Sequence, residues 1–178
     1  MCGITLIKGN TMMKLDIRKL EIQHLKRQVK KYKYDALTNL QGRLDFEELL
    51  EIRFNSDQPF CLVLADVNGL KATNTAKGYA AGDQLIRSAA KHLIKCINIP
   101  TEDSIFRIGT GDEFTALIDT TTAIDSNNLG CISDEFTIAT VFSKDYSSTQ
   151  KLFNAADDLL RQRKLAYYLS TGKERRKR

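Results

Sequence analysis

No apolar run in this chain approaches the roughly 20 residues that a bilayer-spanning helix needs, so no transmembrane helix is expected. The first residues, Met1-Cys2-Gly3-Ile4-Thr5-Leu6-Ile7-Lys8, lack the charged start, long apolar stretch and small-residue cleavage site of a signal peptide. A cytoplasmic location is therefore the expectation. Cysteine is scarce: Cys2, Cys61, Cys96 and Cys131 lie far apart and form no Cys-x-x-Cys pair. That spacing argues against structural zinc and against a disulfide framework. Cys61, inside an apolar run, reads as a small buried hydrophobe. Few aromatics interleave the basic stretches at residues 26–33 and 173–178, and a base-stacking surface needs them. Those stretches read as a solvated helix face and a frayed terminus, so neither nucleic acid nor a membrane is an expected partner.

What the chain does contain is ordinary for one soluble domain with a short appendage: 178 residues, 42% hydrophobic and 28% charged, with net charge +5. Between residues 14 and 34, Leu15, Ile22 and Val29 recur every seven residues with Leu25 and Tyr32 interleaved. This spacing suits either a short parallel coiled coil or a helix laid on the domain. Residues 41–52 show helical spacing, and Phe60-Cys61-Leu62-Val63-Leu64-Ala65 is apolar enough for a strand buried on both faces. Residues 68–79 read as a polar, glycine-bearing connection, and residues 80–97 as an amphipathic helix with Leu85, Ala89, His92, Leu93 and Cys96 on one face. Residues 104–108 and 114–118 flank Gly109-Thr110-Gly111-Asp112-Glu113 as a hairpin, whose glycines are expected to supply positive φ. A polar loop at 120–130, a strand at 136–142 and a closing helix at 152–169 complete the order. Helix, strand, helix, hairpin, strand, helix implies an α/β (α+β) fold, a ferredoxin-like palm sandwich with a mostly antiparallel sheet and flanking helices.

Asp66 closes the buried strand, and Asp112 sits at the hairpin turn beside Glu113. Carboxylates at a sheet end are costly unless paired or metal-bound. Each alone reads as a turn cap. Together they point to a divalent cation, because metal-dependent phosphoryl transfer needs hard oxygen ligands near a triphosphate. His92, beside Leu93 with no ligand partner in sequence, reads as a core or boundary histidine; His24 is on the leading helix.

Five spaced blocks then resemble one family. Asp35-Ala36-Leu37-Thr38-Asn39-Leu40 with Arg43 is similar to the opening D-x-L-T-x-L-x-N-R of GGDEF-domain diguanylate cyclases. Asp66-Val67-Asn68-Gly69-Leu70-Lys71 through Asn74 resembles their D-I-D-x-F-K-x-I-N-D strand and turn, and Gly78-Tyr79-Ala80-Ala81-Gly82-Asp83 their G-H-x-x-G-D. The hairpin carries the namesake Gly-Asp-Glu-Phe, and Ala156-Asp157-Asp158-Leu159-Leu160 with Lys164 resembles the closing A-D-x-A-L-Y-x-A-K helix. The resemblance implies condensation of two GTP into cyclic di-GMP, dependent on Mg²⁺ or Mn²⁺, with each of two subunits presenting one GTP. It implies metal ligation by Asp66, the Val67 carbonyl, Asp112 and Glu113, with Glu113, Asp112 and Lys71 catalytic. Asn74 and Asp83 would read guanine, while Lys71 and Lys164 face the phosphates and Gly111 lets the backbone approach them. A homodimer through the leading helix or the active-site face is expected. The implied division is a leading segment and helix at 1–34, the cyclase-like domain at 35–170 and a basic tail at 171–178.

The departures are equally specific. Either Thr110 replaces the first turn glycine, or Gly109 and Gly111 are the pair and Thr110 is an insertion. Asn68 replaces the second aspartate of the metal strand, Thr75 an acid and Tyr79 a histidine. The R-x-x-D of product inhibition reads Pro100-Thr101-Glu102-Asp103, and the phosphate arginine after Lys164 falls near Tyr167-Tyr168. Three functions fit these residues: a cyclase of this type, a catalytically silent domain that binds GTP or a protein, and a palm-type enzyme making another cyclic nucleotide.

Overall fold

The computed structural model describes residues 17–26, 28–29, 33–56, 58–97, 104–109, 111–119 and 135–172. The expectations for Thr110, the 120–130 loop and the 173–178 stretch lie outside the described residues. Helix α1 comprises residues 17–26 with 28, 29 and 33. It is followed by α2 (Arg43–Phe54), β1 (Phe60–Val67), α3 (Leu70–Lys77), α4 (Tyr79–Ile97), β2 (Ile105–Arg107), β3 (Glu113–Asp119), β4 (Phe136–Phe142) and α5 (Thr149–Thr171). The strands form one antiparallel sheet in the order β2-β3-β1-β4. This is the ferredoxin-like arrangement that the element order implied, with β1 at its centre.

Every residue of β1 is buried, as its unbroken apolarity required. Successive side chains leave opposite faces of a strand. Cys61, Val63, Ala65 and Val67 pack with Ile86, Ala89, Ala90, Leu93 and Ile97 of α4. Phe60, Leu62 and Leu64 pack with Phe46 and Leu50 of α2 and with Leu152, Ala156 and Leu160 of α5. Each fully buried large side chain contributes ~1.5–3 kcal/mol, so the sheet has a substantial layer on both faces.

The second layer fixes the site. Along α5, Leu152, Ala156, Leu160 and Lys164 are spaced by four and share one face. Along β1, Phe60, Leu62, Leu64 and Asp66 are spaced by two and share one face. Four helical residues rise about 6 Å and two strand residues about 6.6 Å, so the two stripes stay in step. Both turn from apolar to charged at the same end, and there Lys164 pairs with Asp66.

Two expectations are corrected. Residues 70–77 form helix α3 rather than an irregular connection, entered and left through Gly69 and Gly78, both at positive φ. The helix has little apolar content and is held mainly by packing on α4, which is why periodicity missed it. Gly109, expected at positive φ in the hairpin, does not adopt it; among the described residues the positive-φ glycines are Gly69, Gly78 and Gly172. The β2–β3 register instead runs on through the Ile108 N–H, which donates to the Glu113 carbonyl at 3.2 Å.

The described part of the apolar stripe on α1 does not lie on the domain: Ile22, Leu25 and Val29 are each more than half exposed, while Leu15 and Tyr32 lie outside the described residues. Cys61 is the buried hydrophobe expected, its thiol pushed up to about 11 by burial.

Candidate active site

The sheet register brings the carboxylates together. Asp66 lies opposite Glu113 on β3 and opposite Thr137 on β4. The Val67 N–H donates to the Asp112 carbonyl at 2.9 Å, which draws the hairpin turn onto the end of β1. Asp66 and Asp112 share the Lys164 ammonium, which touches Asp66 Oδ1 and lies 3.9 Å from Asp112 Oδ2. Apart from that ion pair, Asp66 Oδ1 is buried with no hydrogen-bond partner among the described residues. Burial pushes the Asp66 carboxyl up to about 7; the Asp112 charge adds to the rise, Lys164 opposes it, and Glu113 contributes least.

Glu113 is exposed, and its carboxylate turns toward Gly109, where an added Cβ would stand 3.2 Å from Oε2. Accordingly, no three acidic, histidine or cysteine side chains form a ready-made metal cage among the described residues. Asp66 and Asp112 still suit a hard divalent cation, since magnesium is usually held by one or two carboxylates together with substrate phosphates. A buried carboxylate oxygen with no donor but a lysine is the kind of group such an ion satisfies.

A second ionic unit holds the turn from behind. Arg107, the last residue of β2, donates through Nη1 to both carboxylate oxygens of Asp35 at 2.8 and 2.9 Å. Through Nη2 and Nε it donates to the Gly111 carbonyl at 2.7 and 3.3 Å. Asp35 also accepts from the Thr38 N–H at 2.8 Å and the Thr38 hydroxyl at 2.7 Å. Burial alone would raise the Asp35 carboxyl, but the Arg107 and Thr38 hydrogen bonds outweigh it and hold it below its ordinary value. Sequence reasoning gave Arg107 no role, although its place just before the turn was the available signal.

The expected guanine readers lie on the α3–α4 pair. Asn74 is half-buried on α3, with its Oδ1 buried and without a hydrogen-bond partner among the described residues. The amide rests on Gly82 of α4: a Cβ there would stand 1.8 Å from Asn74 Oδ1 and 2.8 Å from Cγ. Gly82 is thus required by close approach, a role not read from the sequence. Asp83 and Lys71 are exposed on the same helix pair. Neither is brought into the Asp66–Asp112–Lys164 cluster by any described contact.

Asn68 occupies the position of the second aspartate and is buried just past the end of β1. Its Oδ1 accepts from the Thr137 hydroxyl at 2.8 Å, its N–H donates to the Glu135 carbonyl at 2.7 Å, and its Nδ2 has no partner among the described residues. His92 is the boundary histidine expected, half-buried and 2.8 Å through Nδ1 from Glu135 Oε2. Glu135 and Thr137 carried no earlier signal.

The model of the diguanylate cyclase GGDEF domain matches residues 32–136, more than half of the 178-residue chain. The chain belongs to the GGDEF-domain family. The GGDEF domain here is 37% identical over 89 residues to the probable diguanylate cyclase DgcE of Escherichia coli, covering 48% of this chain and 8% of DgcE. It is 32% identical over 100 residues to the bifunctional diguanylate cyclase/cyclic di-GMP phosphodiesterase MucR of Pseudomonas aeruginosa, covering 54% of this chain and 14% of MucR. This chain therefore matches only a small part of those relatives' length. Its fold is that of the coiled coil and GGDEF domain of DgcB from Caulobacter crescentus, with TM-score 0.68 over 96% of each chain at 20% identity. No helix among the described residues is long and apolar enough to cross a membrane.

Proposed function

We propose that this GGDEF domain condenses two GTP into cyclic di-GMP with release of pyrophosphate, using Mg²⁺ or Mn²⁺. The observation that carries this reading is the Asp66–Asp112 pair, drawn together by β1–β3 register around one lysine. Asp66, Asp112 and the Val67 carbonyl would hold the metal, which would supply charge stabilisation at the triphosphate. Arg107 fixes the Gly111 carbonyl and with it the turn that bears Asp112 and Glu113. Asn74, seated on Gly82, and Asp83 read the guanine edge, whose donors and acceptors adenine cannot match. Lys71 supplies positive charge for the phosphates from the first turn of α3. In each transfer a 3′-oxygen forms its bond to the α-phosphorus as the bond to the bridging oxygen breaks. Pyrophosphate leaves with that electron pair, and Glu113 receives the hydroxyl proton.

Because each protomer presents one GTP, two copies must meet. The exposed stripe of Ile22, Leu25 and Val29 on α1 suits pairing with a second copy in a parallel coiled coil. The test is purified protein with Mg²⁺ and GTP, with the products resolved by chromatography. Cyclic di-GMP is expected from the wild type, and Asp112→Ala is expected to lose it while keeping its cooperative melting. GTP binding without any cyclic product would overturn the cyclase reading in favour of a silent regulatory domain. The amide of Asn68 at the metal strand, and Tyr168 one helical turn beyond Lys164 in place of an arginine, are the features that favour that second reading.

A further inference from the structure

Lys164 occupies an unusual place for a phosphate-facing residue: its ammonium is already engaged with both carboxylates proposed to hold the metal. The lysine side chain is 17% exposed and that of Asp66 10%, so this pair is largely shielded from water. It is also held there by its neighbours. Leu160, one turn earlier on the same face, is buried in the α5 layer, and Arg163 donates to the Ile138 carbonyl of β4 at 2.6 Å. The ammonium touches Asp66 Oδ1 and lies 3.9 Å from Asp112 Oδ2, so a cation that took those two oxygens at about 2.0–2.1 Å would occupy the space the ammonium now fills. Two cations would also repel strongly at that separation in a water-poor site.

We propose that Lys164 is the resident counter-ion of the Asp66–Asp112 pair, and that a divalent cation binds by displacing it, which couples metal binding to nucleotide binding. This rests on the metal–nucleotide reading of the site. A metal arriving alone must drive the ammonium away from its only two anionic partners described. A metal arriving with a triphosphate gives the displaced ammonium new anionic oxygens within the same site. Metal and nucleotide therefore favour each other's binding, and the coupling is reciprocal. Lys164 acts in this respect as a positioning residue, keeping the site closed to free metal until nucleotide is present.

The experiment measures Mn²⁺ binding to the full chain by electron paramagnetic resonance, in mildly alkaline buffer so that the carboxylates stay ionised. It is done without nucleotide and with a GTP analogue carrying a methylene bridge between the α- and β-phosphates. Wild type is expected to bind Mn²⁺ weakly alone and about tenfold or more tightly with the analogue. Lys164→Met is expected to bind Mn²⁺ alone about tenfold more tightly than wild type, with the gain from the analogue correspondingly reduced. Lys164→Arg, which keeps the cation and covers the case of a Met variant that fails to fold, is expected to retain weak binding of Mn²⁺ alone. Unchanged or weaker binding of Mn²⁺ alone by a folded Lys164→Met overturns the proposal, as does full coupling in that variant. If wild type binds no Mn²⁺ even with the analogue, the metal–nucleotide reading falls together with it.

Discussion

Asp35 and Asp66 each face one cation near the same hairpin, yet their carboxyls move in opposite directions. Asp35 has burial against it, but the Arg107 fork and the Thr38 hydrogen bonds hold it below its ordinary value. Asp66 has burial and the Asp112 charge against it, and one lysine shared between two carboxylates does not offset them, so its carboxyl rises to about 7. The first unit is internally satisfied and builds structure. The second is short of positive charge, which is the condition of a site that receives a cationic ligand. One region spends its hydrogen bonds on the fold, and the other leaves its demand open at the end of β1.

Breaking the satisfied unit should have the largest effect on stability. Arg107 has a side chain only 5% exposed, and Arg107→Ala would strand Asp35 and the Gly111 carbonyl. A loss of about 3 kcal/mol is expected in urea denaturation, in the range for removing one partner of a buried ion pair. A loss below ~0.5 kcal/mol would mean that the turn is held by something else.

Touching the unsatisfied unit should act through pH instead. A group whose carboxyl is raised on folding contributes stability below its unfolded value and loses it as pH climbs through its folded value. For Asp66 the window runs from about 4 to about 7, so metal-free protein should become less stable across it. Asp66→Asn should flatten that part of the melting-temperature profile, and an unchanged slope would remove Asp66 as its source. Asp35 contributes the other way, stabilising above its ordinary range and losing this as acid protonates it, so Asp66→Asn should leave the acid limb in place.

The smallest effect on stability, and a selective one on ligand, is expected at Gly82. The Cβ of Gly82→Ala would displace the Asn74 amide and press on Leu70 Cδ1 at 3.1 Å. GTP affinity should fall about tenfold, the value of one good hydrogen bond, while the melting temperature shifts by no more than a few degrees. A variant that binds GTP normally would separate Asn74 from guanine recognition.

Much of this was readable in the chain, for reasons that differ by element. β1, α4 and α5 announce themselves because burial on one or both faces imposes an apolar run or a helical period. α3 did not, because a short helix of threonine, asparagine and lysine between two glycines takes its stability from α4 rather than from its own pattern. The proximity of Asp66 and Asp112 followed from motif order. The Arg107 fork, the Asn74–Gly82 contact and the sharing of Lys164 did not, since each joins residues from elements that only the folded packing brings together. The nearest local clue was the stripe Leu152, Ala156, Leu160, Lys164, whose last member breaks an apolar series.

That stripe also says where this domain can tolerate changes in length. One residue inserted between Leu160 and Lys164 would swing the ammonium about 100° around α5, off the face that meets β1. One residue inserted in β1 before Asp66 would send its carboxylate to the α4 side of the sheet. Neither change need disturb the apolar layers before it, so a lineage could keep the fold and lose the ion pair in a single step. Insertions and deletions in the connection after Phe142, by contrast, leave the count from Leu152 to Lys164 untouched.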